Sequence, residues 1–212
     1  SQLLSIIIPL ITAPYLSSVL GPDNIGIESY INAVSQIFYT IGMLGLTNYA
    51  TREIAYVRES KTERSKVFWE MILDRVIVFS VTLAVFLIIG YFSPYKSFFI
   101  IQVGWLAAMF FDVSWFFIGM EMFELTVLRN FIVRMLTIIS IFTLVKDAND
   151  LRLYIILCAI SQLVGTISIL PQLSKYIEKV EFRKLNLWKH FIPSIKVFLP
   201  QFASVLYLQI DK

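Results

Sequence analysis

The sequence contains apolar runs that each have the length needed to cross a lipid bilayer. A membrane-spanning helix needs about 20 mostly apolar residues. Six such runs and the beginning of a seventh are present: 2–20, 25–49, 68–92, 97–118, 125–146, 151–171 and 192–211. None of them shows the alternation over roughly 10 residues that is typical of a barrel strand. The pattern predicts an all-α, polytopic bundle of transmembrane helices.

The composition excludes a soluble globular domain. Of the 212 residues, 58% are hydrophobic and 16% are charged, and the mean hydropathy is +0.75. Charged residues make up about a quarter of an ordinary soluble domain. The single cysteine, Cys158, lies in an apolar run and cannot form an internal disulfide. Because the chain starts without Met and stops beside its seventh run, we expect it to be an N-terminal portion of a longer protein.

Basic residues cluster on two of the connections and predict the orientation. Short cytoplasmic loops accumulate Lys and Arg, so the first and seventh runs should begin in the cytoplasm. The cluster after the second run alternates with acidic residues, which is typical either of a short amphipathic helix on the inner membrane surface or of a solvated loop anchored by lipid head groups. The two clusters are Arg52, Arg58, Lys61, Arg64 and Lys66, and Lys175, Lys179, Arg183, Lys184 and Lys189.

The second cluster also suggests how the chain is divided. We expect a six-helix transmembrane lobe over 1–172. The remainder, 173–212, is expected to be a basic cytoplasmic connection and the start of the seventh helix.

Polar side chains recur at helical spacing inside several runs. The second run carries Glu28, Asn32, Ser35, Gln36 and Tyr39, and the seventh carries Pro193, Lys196, Pro200, Ser204, Tyr207 and Asp211. A polar stripe that faces lipid is costly. The stripes therefore indicate either hydrogen bonding between helices or a shared wet cavity, and their number favours the cavity.

Ionisable residues within the runs are the sharper candidates, because a charge near the bilayer centre costs about 3 kcal/mol on insertion scales. Asp112 and Arg129 are expected at similar depth in consecutive helices, where they can form an ion pair. Arg75, Arg134 and Lys196 are predicted to hold an anionic substrate, unless each extends to the membrane interface. The candidate substrate-binding residues are Glu28, Asn32, Gln36, Tyr39, Arg75, Asp112, Arg129, Arg134 and Lys196.

Motifs for catalysis and for cofactor binding are missing from the sequence. There is no phosphate-binding GxxxxGK[ST] loop, no HExxH and no cysteine–histidine cluster, and the only histidine, His190, is distant in sequence from Cys158. We expect no enzyme, no cofactor, no metal and no nucleic-acid partner.

Four segments carry a family resemblance, namely 14–26 (PYLSSVLGPDNIG), 49–55 (YATREIA), 112–121 (DVSWFFIGME) and 200–211 (PQFASVLYLQID). In this order and spacing they resemble bacterial polysaccharide and O-antigen flippases of the multidrug/oligosaccharidyl-lipid/polysaccharide exporter superfamily. The resemblance implies a two-lobe, alternating-access transporter in the bacterial cytoplasmic membrane. Its implied substrate is a glycan on a polyprenyl diphosphate carrier. Its implied partners are the lipid bilayer and the polymerase and glycosyltransferases of polysaccharide synthesis.

Two other functions stay open on the sequence. One is an ion-coupled exporter of small molecules or drugs from the same superfamily, with Asp112 or Glu28 as the coupling carboxylate. The other is a membrane scaffold that gathers the enzymes of polysaccharide assembly without transporting anything.

Overall fold

The computed structural model describes residues 2–43, 45–181, 183, 185–186 and 188–210, with side chains from residue 10 onward except at 46 and 208–210. Over this part of the chain the regular structure is helical, without a strand, and the all-α prediction is confirmed. The helices are α1 Gln2–Met43, α2 Leu46–Val57, α3 Lys61–Phe92, α4 Lys96–Phe111, α5 Ser114–Gly119, α6 Phe123–Leu144, α7 Leu151–Ile167, α8 Leu170–Leu173 and α9 Phe191–Ile210, with a 3-10 turn over Ala148–Asp150.

Four helical segments are long and apolar enough to cross a membrane, and they correspond to the third to sixth predicted runs. They are Lys61–Phe92, Lys96–Gly119, Phe123–Leu144 and Ala148–Leu173. Many of their large apolar side chains are exposed, among them Val81, Ile88 and Leu136, which is the surface expected of a helix in contact with lipid. The seventh predicted run forms α9, although Asp211 lies outside the described residues, as does Lys184 of the basic connection.

The first two predicted runs lie in one element, α1, which is broken at a single glycine. Gly21 has φ 79° and ψ 165°, a conformation that is open essentially to glycine alone. The Asn24 side-chain amide donates to the Leu20 carbonyl at 3.0 Å and to the Ala148 carbonyl at 2.7 Å. It thereby satisfies a carbonyl near the break and ties α1 to the turn before α7.

A second glycine ends the second run earlier than predicted. The run was expected to reach residue 49, but α1 ends at Met43 and α2 starts at Leu46. Between them Gly45 has φ 67°, and a Cβ at this position would lie 2.7 Å from the Phe198 nitrogen and 2.8 Å from the Ser194 carbonyl oxygen. The close approach of α9 therefore requires glycine here.

The helix that follows is amphipathic, the first of the two structures that the charge pattern allows. Tyr49, Ala50 and Ile54 of α2 are buried while Arg52 and Tyr56 are exposed. Its position differs from the prediction, because α2 ends at Val57. The later bases of that cluster, Lys61, Arg64 and Lys66, belong to the first two turns of α3.

The second half of α1 packs along α3 and α4. Ring contacts show the directions: Tyr30 lies 6.1 Å from Tyr95, and further along Tyr39 lies 5.0 Å from Trp105. This part of α1 therefore runs parallel to α4, and α3 returns in the opposite direction.

The two basic segments meet at one end of this bundle. Lys61 Nζ lies 3.4 Å from a Glu178 carboxylate oxygen, and the buried Arg64 guanidinium donates to the Tyr176 carbonyl at 2.9 and 3.1 Å. The Glu178 amide donates to the Ser65 hydroxyl at 2.8 Å. If both basic segments are cytoplasmic, they must lie at the same end of the bundle, and they do. The cytoplasmic orientation itself stays a prediction, as does the division of the chain at residue 172.

Candidate functional site

Asp112 occupies a break between two helices. The sequence predicts one continuous run over 97–118, but α4 ends at Phe111 and α5 begins at Ser114. The Asp112 carboxylate accepts hydrogen bonds from the Ser114 amide, at 2.9 Å, and from the Ser114 hydroxyl. An aspartate that bonds the backbone two residues later competes with the continuing helix. The Asp-x-Ser spacing is the signal in the sequence that indicates this break.

Arg75 reaches the break from α3. Its side chain is 1% exposed, its Nη1 donates to the Asp112 carbonyl oxygen, and its guanidinium carbon lies 5.6 Å from the centre of the Trp115 ring. A carbonyl released where a helix ends thus receives a charged donor. The Nε of Arg75 is buried and has no hydrogen-bond partner among the described residues.

Arg129 of α6 approaches the same break from the other side. Its Nη2 donates to the Ser114 hydroxyl at 3.0 Å and to the Asn130 side-chain oxygen at 2.7 Å. The predicted pairing with Asp112 is therefore indirect, because the Ser114 hydroxyl lies between the two charged groups. The Nη1 of Arg129 is buried without a partner in the described part of the chain.

The polar stripe of α1 (Glu28, Asn32, Ser35, Gln36 and Tyr39) extends from the α4–α5 break to a small polar cavity. Tyr39 lies within electrostatic range of Arg75 and Asp112. Farther along, a partly open cavity of about 50 Å3 lies between α1, α4 and α7. Its lining residues are Glu28, Asn32, Ser35, Gln102, Trp105, Tyr154, Ile155 and Cys158.

Two of the predicted residues interact with each other in this cavity. The Asn32 amide donates to the Glu28 carboxylate at 3.0 Å, and Ser35 is 1% exposed with no described partner for its hydroxyl. Gln102 and Tyr154 join them from α4 and α7. Sequence spacing did not indicate these two, because each is an isolated polar group in an apolar run. Gln36 is half-buried on the same helix but does not line the cavity.

The two remaining predicted cations lie elsewhere. The Arg134 side chain on α6 and the Lys196 side chain on α9 are both exposed, and neither lines the polar cavity. The structure therefore brings Arg75 and Arg129 together with Asp112, but not Arg134 and Lys196. The role of these residues in substrate binding stays a prediction.

A buried hydrogen-bond network at the start of α9 was not among the sequence candidates. His190 Nε2 lies 2.8 Å from a Glu70 carboxylate oxygen, and its Nδ1 lies 2.9 Å from the Tyr49 hydroxyl. The second Glu70 oxygen accepts from the Asn186 backbone N–H at 2.8 Å. Burial raises the pKa of the Tyr49 phenol, on α2 and outside the apolar spans, and the nearby Glu53 carboxylate adds to this rise. The network fastens the segment before α9 to α2 and α3.

Comparison with known proteins agrees with the family resemblance of the sequence and with its apolar helices. All of residues 1–212 match the model of the family described as "Polysaccharide biosynthesis protein". The chain belongs to this family. A member from Escherichia coli (strain K12), named "Putative O-antigen transporter", is 25% identical over 207 residues, which are 95% of this chain and 50% of that protein.

A second relative in this polysaccharide biosynthesis family has the same printed name. The "Putative O-antigen transporter" of Shigella dysenteriae is 27% identical over 202 residues, or 93% of this chain and 50% of that protein. The chain thus spans about half the length of the curated relatives it matches. No solved structure matches it. The predicted resemblance to O-antigen flippases is confirmed at the level of the family, and the names of the relatives point to transport and not to an enzyme.

The family and the four apolar segments make the chain a multi-pass protein of the bacterial cytoplasmic membrane. In this family member the helix break and the polar cavity offer two kinds of chemistry. The break presents guanidinium nitrogens that can bind an anion. The cavity presents oxygen and amide groups that can hold water or a polar ligand.

Proposed function

We propose that the full protein moves an oligosaccharide linked to polyprenyl diphosphate across the cytoplasmic membrane, by alternating access of this helical lobe and a second one. The family and the names of the two relatives support a role in polysaccharide export. Those relatives are about twice as long as the part that this chain matches, which leaves room in them for a second lobe.

The observation that carries the proposal is the pair of arginines at the α4–α5 break. Arg75 and Arg129 each have a buried guanidinium nitrogen without a partner among the described residues. Diphosphate oxygens are good acceptors for guanidinium groups, which bind phosphate in a bidentate manner. In a site with little water, this attraction is stronger than at a surface.

Access to Arg75 requires a change of conformation, because its side chain is 1% exposed. The break between Phe111 and Ser114 is the natural place for that change, since a helix without its continuous hydrogen bonds bends more easily. Opening at Asp112 would release the Arg75 Nη1 from the Asp112 carbonyl. Alternating access then exposes the arginines on one side and covers them again as the lobes move.

The test is made in a strain that lacks the full-length protein. This strain should accumulate unpolymerised lipid-linked repeat units on the inner leaflet, and the wild-type gene should restore export. Arg75→Gln and Arg129→Gln should fail to restore it, while Arg152→Gln, at an exposed arginine on α7, should succeed. Normal export in the deletion strain contradicts the proposal.

A second candidate function is favoured by one observation, the carboxylate of Glu28 at the small polar cavity. An intramembrane carboxylate with oxygen-containing neighbours is suited to binding a proton or a cation, as an ion-coupled exporter of small molecules requires. Such an exporter would show cation-dependent efflux of dyes from vesicles, and Glu28→Gln would abolish it. Efflux that is unaffected by Glu28→Gln removes this candidate.

A further inference from the structure

A larger cavity, wide open to its surroundings, lies at the end of the bundle where the break in α1 meets the connection between α3 and α4. Its volume is about 570 Å3, within the range of small-molecule pockets, roughly 300–1,000 Å3. The proposed binding of the diphosphate does not use it. Two short stretches of chain supply most of its lining: Pro22, Asp23, Gly26, Tyr30, Pro94 and Tyr95.

Both stretches are held in place by hydrogen bonds and by residues with little conformational freedom. On the α1 side, the Asn24 amide binds the Leu20 and Ala148 carbonyls. On the other side, the Tyr95 amide donates to the Ser93 hydroxyl at 3.2 Å. The prolines at 22 and 94 further restrict the backbone. A ligand would therefore meet walls that are already formed, which lowers the entropic cost of binding.

The walls of this cavity combine two aromatic rings, Tyr30 and Tyr95, with one carboxylate, Asp23. The rings of Tyr30 and Tyr95 lie 6.1 Å apart and are inclined at 57°, and Tyr30 is 48% exposed. Each ring offers an apolar face and a polar hydroxyl. The Asp23 carboxylate is exposed beside them. A sugar ring needs this combination, because it has a C–H face as well as hydroxyl groups that donate hydrogen bonds.

The charge of the cavity separates it from the arginine site. Its only ionisable groups among the described lining residues are Asp23 and the two tyrosines, without a lysine or arginine. A carboxylate repels phosphate and accepts hydrogen bonds from hydroxyl groups. The cavity is thus unsuited to the diphosphate and suited to an uncharged polar ring.

We propose that this cavity is a glycan subsite, in which a sugar ring of the transported oligosaccharide stacks on Tyr30 and bonds to Asp23. This inference rests on the proposed function, because the glycan enters through it. It assigns the two parts of the substrate to different places: the diphosphate to the arginines at the α4–α5 break, and the glycan to the corner between α1 and the α3–α4 connection.

Gly26 gives a direct way to close the subsite. A Cβ at this position meets no atom within 4 Å, so a side chain there would project into the open cavity without disturbing the packing. Gly26→Leu should therefore block the cavity, and Gly26→Ala should leave most of it open. Tyr91, 75% exposed near the same end of the bundle, is the matched control for an aromatic residue that only contacts the membrane interface.

The binding experiment uses the full-length protein in lipid nanodiscs. The probe is the oligosaccharide that mild acid releases from the surface polysaccharide of the source strain, and binding is followed by saturation-transfer NMR. Tyr30→Ala and Gly26→Leu should weaken binding about fivefold, the loss expected for one aromatic contact. Tyr91→Ala and Gly26→Ala should bind as the wild type does.

Three results overturn the subsite. The first is equal binding by the wild type, Tyr30→Ala and Gly26→Leu. The second is an equal loss in Tyr91→Ala, which would indicate a general interfacial effect. The third is displacement of the oligosaccharide by tetramethylammonium, because the corner would then be a site for cations.

Export in the deletion strain separates this inference from the proposed function. If the strain without the protein exports normally, the proposed function is wrong. If that strain fails to export but Tyr30→Ala and Gly26→Leu restore export as fully as Tyr91→Ala does, the transporter stands and the subsite is wrong. The subsite is supported when these two variants restore export poorly while reaching the membrane at wild-type levels.

Discussion

His190 Nε2 lies 2.8 Å from a Glu70 carboxylate oxygen, and both side chains are fully buried. These residues are 120 positions apart in the sequence, so their contact joins α3 to the start of α9. A carboxylate in such a place needs every available donor. Glu70 receives two, one from the histidine ring and one from the Asn186 amide.

Removal of the Glu70 charge should therefore destabilise the protein. Glu70→Gln replaces one of the two carboxylate oxygens with an NH2 group, so either His190 Nε2 or the Asn186 backbone N–H loses its acceptor, at a cost of about 1–3 kcal/mol. The measurement is the thermal unfolding of the purified full-length protein. Glu124→Gln, at an exposed carboxylate on α6, is the control and should unfold at the wild-type temperature. A wild-type unfolding temperature for Glu70→Gln would contradict the buried network.

Gly45→Ala should separate α9 from the junction between α1 and α2. The added Cβ would lie 2.7 Å from the Phe198 nitrogen, and the φ of 67° is unfavourable for alanine. We expect a loss of about 1–3 kcal/mol in stability, seen as a lower unfolding temperature. Gly104→Ala is the matched control, because its Cβ would lie 3.9 Å from the nearest atom, the Ala159 Cβ. The same loss in both variants would argue against close packing at Gly45.

Ser114→Ala should break the link between Asp112 and Arg129. The serine hydroxyl donates to the carboxylate and accepts from Arg129 Nη2, so its removal takes one hydrogen bond from each of two half-buried charged groups, at about 1–3 kcal/mol. Export should fall in the deletion strain that carries this variant. Ser114→Thr keeps the hydroxyl and should restore most of the export. Ser97→Ala, at an exposed serine, should behave as the wild type.

Arg134→Gln combined with Lys196→Gln tests the predicted cations that lie outside the helix break. If they contact the diphosphate during part of the transport cycle, export should fall about tenfold or more, since charged hydrogen bonds contribute about 1.5–3 kcal/mol each. Lys146→Gln, an exposed lysine in another connection, should have no effect. Full export by the double variant, together with loss of export when the cytoplasmic loops are changed, would favour a scaffold.

The spanning helices could be predicted because they depend on the amount of apolar sequence, which is a local property. The third to sixth runs appear in the structure with boundaries only a few residues away, except at α3, which begins at Lys61. That extension depends on Ser60, which caps the helix by accepting from the Glu63 amide at 3.3 Å. The basic residues that follow Ser60 look like a loop in sequence but fit the first turns of a helix.

The breaks in the helices could be predicted less well, because hydropathy does not detect them. Gly21 lies in a recognisable turn sequence, yet Gly45 and Asp112 interrupt apolar runs that read as continuous. Each break involves a tertiary contact, the α9 backbone at Gly45 and the Arg75 guanidinium at the Asp112 carbonyl, and only Asp112 also has a local partner, Ser114. Such contacts between distant segments are not visible in a single sequence.

In the candidate site, too, some residues could be predicted from the sequence and others could not. Spacing correctly placed Glu28 and Asn32 together, because both lie on one face of one helix. It did not indicate Gln102 or Tyr154, which line the cavity from α4 and α7, or His190, whose partners Tyr49 and Glu70 lie on α2 and α3. Periodicity identifies the face of a helix but not the group that the face will meet.

The Asn24 side chain has a mechanical consequence for how the lobe can move. Its amide group donates to the carbonyl of Leu20 in the same helix and to the carbonyl of Ala148, which is 124 residues away in the sequence. Pulling α1 away from the turn before α7 would break the bond to the Ala148 carbonyl, while the bond to Leu20 lies within α1 itself. This corner should therefore travel as a rigid block during the transport cycle. Bending would be concentrated at the interrupted fourth span, where side-chain bonds of Asp112, Ser114 and Arg75 take the place of continuous helix hydrogen bonds.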